Sequence, residues 1–442
     1  MYTSFFGTDG IRTKFGTSPL TPSELVRLGF VLGHWAKTKQ KHSILIGHDT
    51  RISCSIIKSA LKTGLLQHDV TIYDASILPT PALYYAVKEK KTYDIGIMIT
   101  ASHNQYQDNG IKIITQDDGK LTIEDEALIM NLFYSLPETQ NYETLGVELV
   151  DTNALYEYMH GIITKFSSNF LEGIKIVIDC AHGAYTTCAT EIFETLGATV
   201  ISLNISPSGK NINLQVGSLY PEIIQKTVID TMAHIGFAFD GDGDRVVVAS
   251  HQGTLKDGDD ILAILLDHPA YKHEAVIIGT IMSNQGFEAH LDATHKKLIR
   301  TAVGDRNVMD AMKKHHALLG AEPSGHVLLK DFSGTADGIF TALRLLEAII
   351  LTGNWNIDSF KKFSQYTVNI PISVKKDLSL EPFTSLIEHY KTQLNNGRII
   401  VRYSGTEPVL RIMIEGPDHL QTQILSTTLS QQLSALLIQE SL

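Results

Sequence analysis

Three times along the chain, a short β-branched apolar run leads into a polar turn, a helix-compatible stretch and a second apolar run. The first copy is SILIGHD at 43–49, then SCSIIKSALKTGLLQ and VTIYD. IKIVIDCAHGA at 174–184 precedes TTCATEIFETLGA and TVISLN, and AVIIGTIMSN at 275–284 precedes QGFEAHLDATHKK and LIRTAV. Strands that alternate with helices at this spacing predict βαβ units on mainly parallel sheets. Three copies predict three similar α/β domains, bounded at 1–150, 151–253 and 254–365. After about Gln365 the pattern changes to the clustered apolar runs TVNIPISV, RIIVRYSGTEP and VLRIMIEG, followed by a helical tail from Asp418. That arrangement predicts a smaller C-terminal α+β domain over 366–442.

Composition narrows the class. Of 442 residues, 43% are hydrophobic and 19% charged, enough to bury sizeable cores and without the signature of disorder. The formal charge of -11 and the lack of a Lys/Arg run argue against a nucleic-acid surface. An anionic ligand stays compatible, because a cleft concentrates positive charge locally. The start MYTSFFGTDGIR has no signal-peptide core, and the best apolar run, IFTALRLLEAII, carries Arg344 and Glu347, so no membrane partner is expected. Cys54, Cys180 and Cys188 form no CxxC pair and are read as reduced and buried, with the cytoplasm as the expected compartment.

The strongest chemical signal is IGFAFDGDGDRVVV at 235–248, in which one apolar run ends in Asp240, Asp242 and Asp244 and another follows. The two glycines allow a tight turn that brings alternate carboxylates together, a donor set suited to Mg²⁺. A helix–loop–helix Ca²⁺ site is disfavoured by the preceding strand and by His251 at the twelfth position, where a bidentate Glu is needed. An acidic solvated turn is the alternative, but carboxylates crowded between buried strands need a compensating cation. KDGDD at 256–260 lacks that frame and is expected to be a surface turn.

In DIGIMITASHNQYQDNGIKII at 94–114 a strand runs into a loop with Ser102, His103 and Asn104, and a strand with Lys112 follows. There is no GxSxG elbow, which removes the main support for acyl transfer. His103 is expected to diverge from Ser102, as neighbours do in extended chain. A serine accepts phosphate when a metal and cations neutralise the developing charge, and Lys112, Arg12 and Arg245 are the candidate cations. RYSGTEPVLR at 402–411 places Arg402, Ser404, Gly405, Thr406 and Arg411 around a turn suited to a phosphate. GAEPSGH at 320–326 offers Glu322, Ser324 and His326 to sugar hydroxyls, with His326 a candidate proton carrier. Taken singly, each of these stretches also fits an ordinary polar turn. No P-loop and no strand-linked GxGxxG is present, so phosphate would move without a nucleotide.

Taken in order, FGTDGIR, TASHN with NGIK, DGDGDR, AEPSGH and RYSGTEP resemble the α-D-phosphohexomutase family over nearly the whole chain. The resemblance implies three related α/β domains and a smaller fourth around a central cleft. It also implies Ser102 as a phosphoserine, Mg²⁺ held by Ser102, Asp240, Asp242 and Asp244, and a hexosamine 1,6-bisphosphate intermediate. Arg12, Lys112, Arg245 and His326 become charge-stabilising or proton-transfer groups. Glu322 and Ser324 would hold the sugar, and Arg402, Ser404, Gly405, Thr406 and Arg411 the phosphate not being transferred. The opening FGTDGIR and VGDR at 303–306 look most like the members that interconvert glucosamine 6-phosphate and glucosamine 1-phosphate, on the route to UDP-N-acetylglucosamine. Homodimers are common in such a family. Three positions depart from its pattern: Gln105 stands for Pro, Thr13 for Gly, and Pro323 for the Gln of glucosamine mutases. Rival readings are a phosphomannomutase or phosphoglucomutase of the same family, a phosphatase with Asp240 as nucleophile, which would normally have Thr or Val where Asp244 stands, and a sugar-phosphate sensor without turnover.

Overall fold

The computed structural model describes residues 4–7, 9–136, 145–394, 396–404 and 408–439. The chain divides into two compact units, Met1–Ile281 with Ile299–Ile357, and Met282–Leu298 with Asp358–Leu442.

The first unit contains three sheets built on one plan. Its first sheet has strands β1 (Phe6–Gly7), β2 (Gly10–Lys14), β3 (Ser43–His48), β4 (Thr71–Ile77), β5 (Ile95–Ile99), β6 (Asp108–Thr115), β7 (Gly119–Lys120) and β8 (Val147–Val150). They lie in the order β1-β2-β6-β5-β3-β4-β8, with β7 beside β6. The second sheet runs β10 (Thr199–Leu203), β9 (Lys175–Asp179), β11 (Ile235–Phe239), β12 (Val246–Ser250), β13 (Leu255–Lys256). The third runs β15 (Lys297–Thr301), β14 (Val276–Thr280), β16 (Leu319–Ala321), β17 (Val327–Leu329).

Each sheet is parallel through its centre and turns antiparallel at one strand. β5 pairs parallel with β3 but antiparallel with β6. β11 pairs parallel with β9 but antiparallel with β12, and β16 does the same between β14 and β17. β5 and β11 are buried along their whole length, as their unbroken apolar runs require of central strands covered on both faces. A chain leaving such a strand into a hairpin gathers its polar groups in one short loop. Those three loops are the serine, acidic and sugar motifs.

The sequence reading erred at 256–260. Asp257 caps the helix Gly258–Leu265, its side chain accepting from the backbone of Asp259 and Asp260 while Asp260 returns the bond to Asp257. Asp259 and Asp260 are buried rather than lying on a surface turn. The missed signal was an Asp three residues before another at the head of an apolar helical run. The three cysteines are free and buried. Among the described residues, no helix is long and apolar enough to cross a membrane.

In the second unit, β18 (Ser364–Pro371), β20 (Val409–Gly416) and β19 (Arg398–Tyr403) form an antiparallel sheet in that order. The helices Phe383–Gln393 and His419–Gln439 cover a core that includes Leu410, Ile412, Leu429 and Leu433. The helix Gln285–Ala293 joins this unit. Its first N–H, on Gln285, donates to the buried carboxylate of Glu415 (3.0 Å).

Candidate active site

Ser102 sits in the β5–β6 hairpin, 1% exposed, with a left-handed φ of 52°. That backbone angle is uncommon for a residue with a β-carbon. It turns the hydroxyl toward the β11–β12 loop, where Ser102 Oγ donates to Asp240 Oδ2 at 2.7 Å. The same turn corrects the expectation for His103, because its Nδ1 lies 3.2 Å from Ser102 Oγ instead of diverging. Burial, with the positive charges of Arg245 and Arg12, holds the His103 imidazole down to about 3. It is therefore neutral near pH 7.

Asp240, Asp242 and Asp244 are all buried, and each offers an oxygen within 4.8 Å of the others. The turn that gathers them depends on glycine at Gly243, whose φ is 83° and whose absent Cβ would lie 2.6 Å from the Tyr185 ring. Burial and the charges of Asp244 and Asp242 push the Asp240 carboxyl well above the usual range. For Asp244, burial is outweighed by Lys112, His326 and Arg245, so its carboxyl stays well below that range. Asp242 Oδ1 and Asp244 Oδ1 are buried and have no hydrogen-bond partner. Hard oxygen donors, crowded and partly unsatisfied, fit a divalent cation such as Mg²⁺.

Cations enclose the trio. Lys112 directs its ammonium to Asp242 Oδ2 (2.9 Å), Asp244 Oδ2 (2.7 Å) and Asp9 Oδ2 (2.9 Å). Burial opposes the charge on Lys112, but these three carboxylates hold its pKa well above the ordinary value. Arg245 donates its backbone N–H to Asp240 Oδ1 (3.2 Å), and its Nε lies 3.9 Å from Asp240 Oδ2. Arg12 is exposed on β2, near enough for its charge to act on His103 and Lys112.

Several contributors were missed in the sequence. Lys120 pairs with Asp9 (2.5 Å) and with Asp305, and His326 Nε2 stands 3.6 Å from Asp305 and 3.7 Å from Asp244. Lys112, Asp9, Lys120, Asp305, His326 and Asp244 thus close a ring in which basic side chains alternate with carboxylates around one side of the acidic loop. Thr80 also donates its hydroxyl to Asp242 Oδ2 (2.6 Å). Asp9 and Asp305 lay inside quoted motifs, TDG and VGDR, but nothing in either stretch named its partner.

The 320–326 motif is the β16–β17 turn. Glu322 is buried and its Oε1 accepts from Gly304 N (2.9 Å), whereas Ser324 is exposed. The turn returns to the acidic loop's outgoing strand, because Val246 N donates to Gly325 O (3.0 Å). In the second unit, Arg402 and Arg411 are cross-strand partners on β19 and β20. They line a cavity of about 210 Å³ with Met282, Thr367, Asn369, Ile400 and Met413. Ser404 is buried, and its N–H donates to Val409 O (3.0 Å). Gly405 and Thr406 lie outside the described residues.

Four domain families match the chain in order: phosphoglucomutase/phosphomannomutase α/β/α domain I over 3–140, domain II over 156–253, domain III over 257–366, and the C-terminal domain over 373–425. The chain belongs to this family, the α-D-phosphohexomutases. It is 38% identical to phosphoglucosamine mutase of Acinetobacter baumannii strain AYE, the match covering 97% of this chain and 98% of that one. It is 39% identical to phosphoglucosamine mutase of Coxiella burnetii strain CbuG_Q212, over 95% and 96%. Among solved structures, a phosphoglucomutase/phosphomannomutase family protein of Burkholderia thailandensis matches with a TM-score of 0.81 at 22% identity, covering 98% of this chain and 97% of that one. Aspergillus fumigatus N-acetylphosphoglucosamine mutase, solved with GlcNAc-6P and magnesium, matches with a TM-score of 0.68 at 14% identity, covering 97% and 95%. At those identities the structures bear on the fold alone.

Proposed function

We propose that this chain interconverts glucosamine 6-phosphate and glucosamine 1-phosphate, with Ser102 as the phosphoryl carrier. The observation that carries the proposal is the 2.7 Å hydrogen bond from Ser102 Oγ to Asp240, across 138 positions of sequence, inside a buried carboxylate trio. Full-length identity of 38% to curated phosphoglucosamine mutases supports the choice of sugar.

In this reading phosphorylated Ser102 donates its phosphoryl group to the free hydroxyl of a bound monophosphate. The Ser102 O–P bond breaks as the sugar O–P bond forms, leaving a hexosamine 1,6-bisphosphate. After the bisphosphate reorients, its other phosphate returns to Ser102. Asp240, Asp242 and Asp244 would hold Mg²⁺, which neutralises charge on the transferring phosphoryl oxygens when bound. A dianionic phosphate beside three carboxylates leaves negative charge that one divalent ion does not cancel. At an effective dielectric near 20, unit charges about 4 Å apart interact by about 4 kcal/mol. Lys112, Arg245 and Arg12 supply that compensation. His326, held between two carboxylates, is the candidate for moving the hydroxyl proton. Glu322 and Ser324 are assigned to the sugar, and Arg402, Ser404, Gly405, Thr406 and Arg411 to the phosphate not being transferred. The reading places the enzyme in the cytoplasm, on the route to UDP-N-acetylglucosamine. It also carries a homodimer, which light scattering at working concentration checks.

The test compares turnover of glucosamine, mannose and glucose phosphates with catalytic bisphosphate present. Glucosamine phosphate should be fastest, and Ser102→Ala should remove turnover and acid-stable protein phosphate together. Faster turnover of mannose phosphate overturns the choice of sugar. An active Ser102→Ala variant, or hydroxylamine-labile phosphate on Asp240, overturns the serine mechanism.

A further inference from the structure

We propose that Arg51 and Asn213 form a clamp on the backbone of the Ser102 loop and thereby position the Ser102 hydroxyl for phosphoryl transfer. The inference rests on the reading of Ser102 as the phosphoryl carrier. Neither residue is part of the acidic loop, the β16–β17 turn or the ring of basic side chains and carboxylates.

Arg51 follows β3 and is 2% exposed. A guanidinium has five N–H donors in a fixed fork. Here Nε donates to Asp49 Oδ2 (2.8 Å), Nη2 to the carbonyls of Ser102 (2.8 Å) and Asn104 (2.7 Å), and Nη1 to those of Asp108 (3.1 Å) and Gln105. All five donors are spent inside the protein, so none remains for a substrate phosphate. Asn213 arrives from the loop after β10, and its Nδ2 meets the carbonyls of Ser102 (2.7 Å) and Asn104 (3.0 Å). Two donors from distant parts of the chain thus converge on the carbonyl of Ser102 itself.

The amide side of Ser102 is fixed by the same network. Ser102 N donates to Thr100 Oγ1 (2.8 Å), and Thr100 Oγ1 donates to Asp49 Oδ2 (2.7 Å), the oxygen that also holds Arg51 Nε. Both peptide groups flanking the left-handed φ are therefore anchored to one buried Asp–Arg pair. Such a backbone angle persists where its surroundings over-determine it. The clamp also sets the distance to the acidic loop. A Cβ on Gly241 would lie 2.7 Å from both Ser102 O and Asn213 Nδ2, so the two loops touch backbone to backbone at the clamped carbonyl. Gln105, which stands where the family usually has Pro, is held here through its carbonyl, a contact that does not depend on its side chain.

The test uses Arg51→Lys and Asn213→Ala in the full-length enzyme. Lys keeps the charge but has three donors on a point ammonium and no fork. Misplacing a reacting group by about 1 Å costs on the order of 10²-fold in rate. For Arg51→Lys, kcat per folded molecule and the rate of Ser102 phosphorylation by glucose 1,6-bisphosphate, followed by intact mass, should both fall about 100-fold. KM for the sugar phosphate should stay within about twofold, because the donors of both residues are spent on protein groups. Asn213→Ala should show the same pattern at about tenfold, since Arg51 still holds the Ser102 carbonyl. Should Arg51→Lys fail to fold, Asn213→Ala decides the matter. A variant with lowered Tm but unchanged kcat and phosphorylation rate has lost stability only, and overturns the clamp. A wild-type enzyme that never carries phosphate on Ser102 overturns the serine reading and, with it, the clamp.

Discussion

Lys112 directs its ammonium to Asp9, Asp242 and Asp244, three carboxylates brought from two loops. Removing it does two things at once: it withdraws a positive charge from the proposed phosphoryl path and leaves buried Asp242 and Asp244 facing half-buried Asp9 without their shared cation. Lys112→Ala should lower kcat by about 10²- to 10³-fold, the usual cost of losing one charge-stabilising donor, in steady-state assays at saturating substrate. Unchanged turnover would remove Lys112 from the mechanism. A second residue-scale prediction concerns Asp337, which caps the helix Gly338–Thr352 and accepts from Tyr158 (3.1 Å), Tyr185 (3.0 Å) and the Phe340 N–H (2.9 Å). Burial raises its carboxyl from 3.8 to about 6 despite those donors. A carboxyl whose folded pKa lies above its unfolded value contributes stability that is full below about pH 4 and is lost as pH rises through 6. A rise of that size corresponds to about 3 kcal/mol. Urea unfolding of wild type and Asp337→Asn at pH 4 and pH 8 should show the wild-type advantage shrinking by about that amount at the higher pH. A pH-independent difference would contradict the assignment.

At the scale of elements, one device recurs. In each sheet of the first unit a central strand with a parallel neighbour on one side enters an antiparallel hairpin on the other, and the hairpin loop holds one of the motifs proposed for the reaction. The loops were legible in sequence because each is contiguous: a buried apolar run, a few polar residues with glycine, and a second apolar run. What joins the loops was not legible. Asp9, Lys120 and Asp305 each look like single surface charges until β7 pairs with β6 and the Asp305 helix meets the same site. Arg51 was hidden for a similar reason, since DTR after a strand also suits an exposed turn. His103 was misjudged because the extended-chain rule fails at a left-handed residue, and no local letter announces Ser102's φ of 52°. The contact between the serine and acidic hairpins gives its own prediction. Gly241→Ala puts a methyl 2.7 Å from the Ser102 carbonyl, below any ordinary contact. The loops must separate, so Mg²⁺ affinity and kcat should both fall by at least about tenfold while substrate KM moves little, as isothermal titration and kinetics would record. Wild-type metal affinity in that variant would mean the loops adapt freely.

For the whole molecule, the distribution of charge over the two units has a thermodynamic consequence. Asp240, Asp242, Asp244 and the cations around them all lie in the first unit, whereas Arg402 and Arg411 belong to the second. A cation that binds the folded trio and not the unfolded chain stabilises only the part that must be intact to hold it. At a free concentration of about 100 times Kd that stabilisation is about 2.7 kcal/mol. The carboxyl of Asp240, driven up by its buried neighbours, must lose its proton for the trio to bind as three carboxylates. The metal-dependent increment should therefore be larger at pH 8 than at pH 5, opposite in sign to the contribution of Asp337. Calorimetry in EDTA and in excess Mg²⁺ at those two pH values separates the effects. Mg²⁺ should raise the unfolding temperature of wild type, more at the higher pH, and should leave Asp240→Asn/Asp242→Asn unmoved. Residues 358–442, followed by hydrogen exchange in the same samples, should keep their protection whether metal is present or not. A metal-dependent gain in protection confined to those residues would show that the ion binds somewhere other than the acidic hairpin.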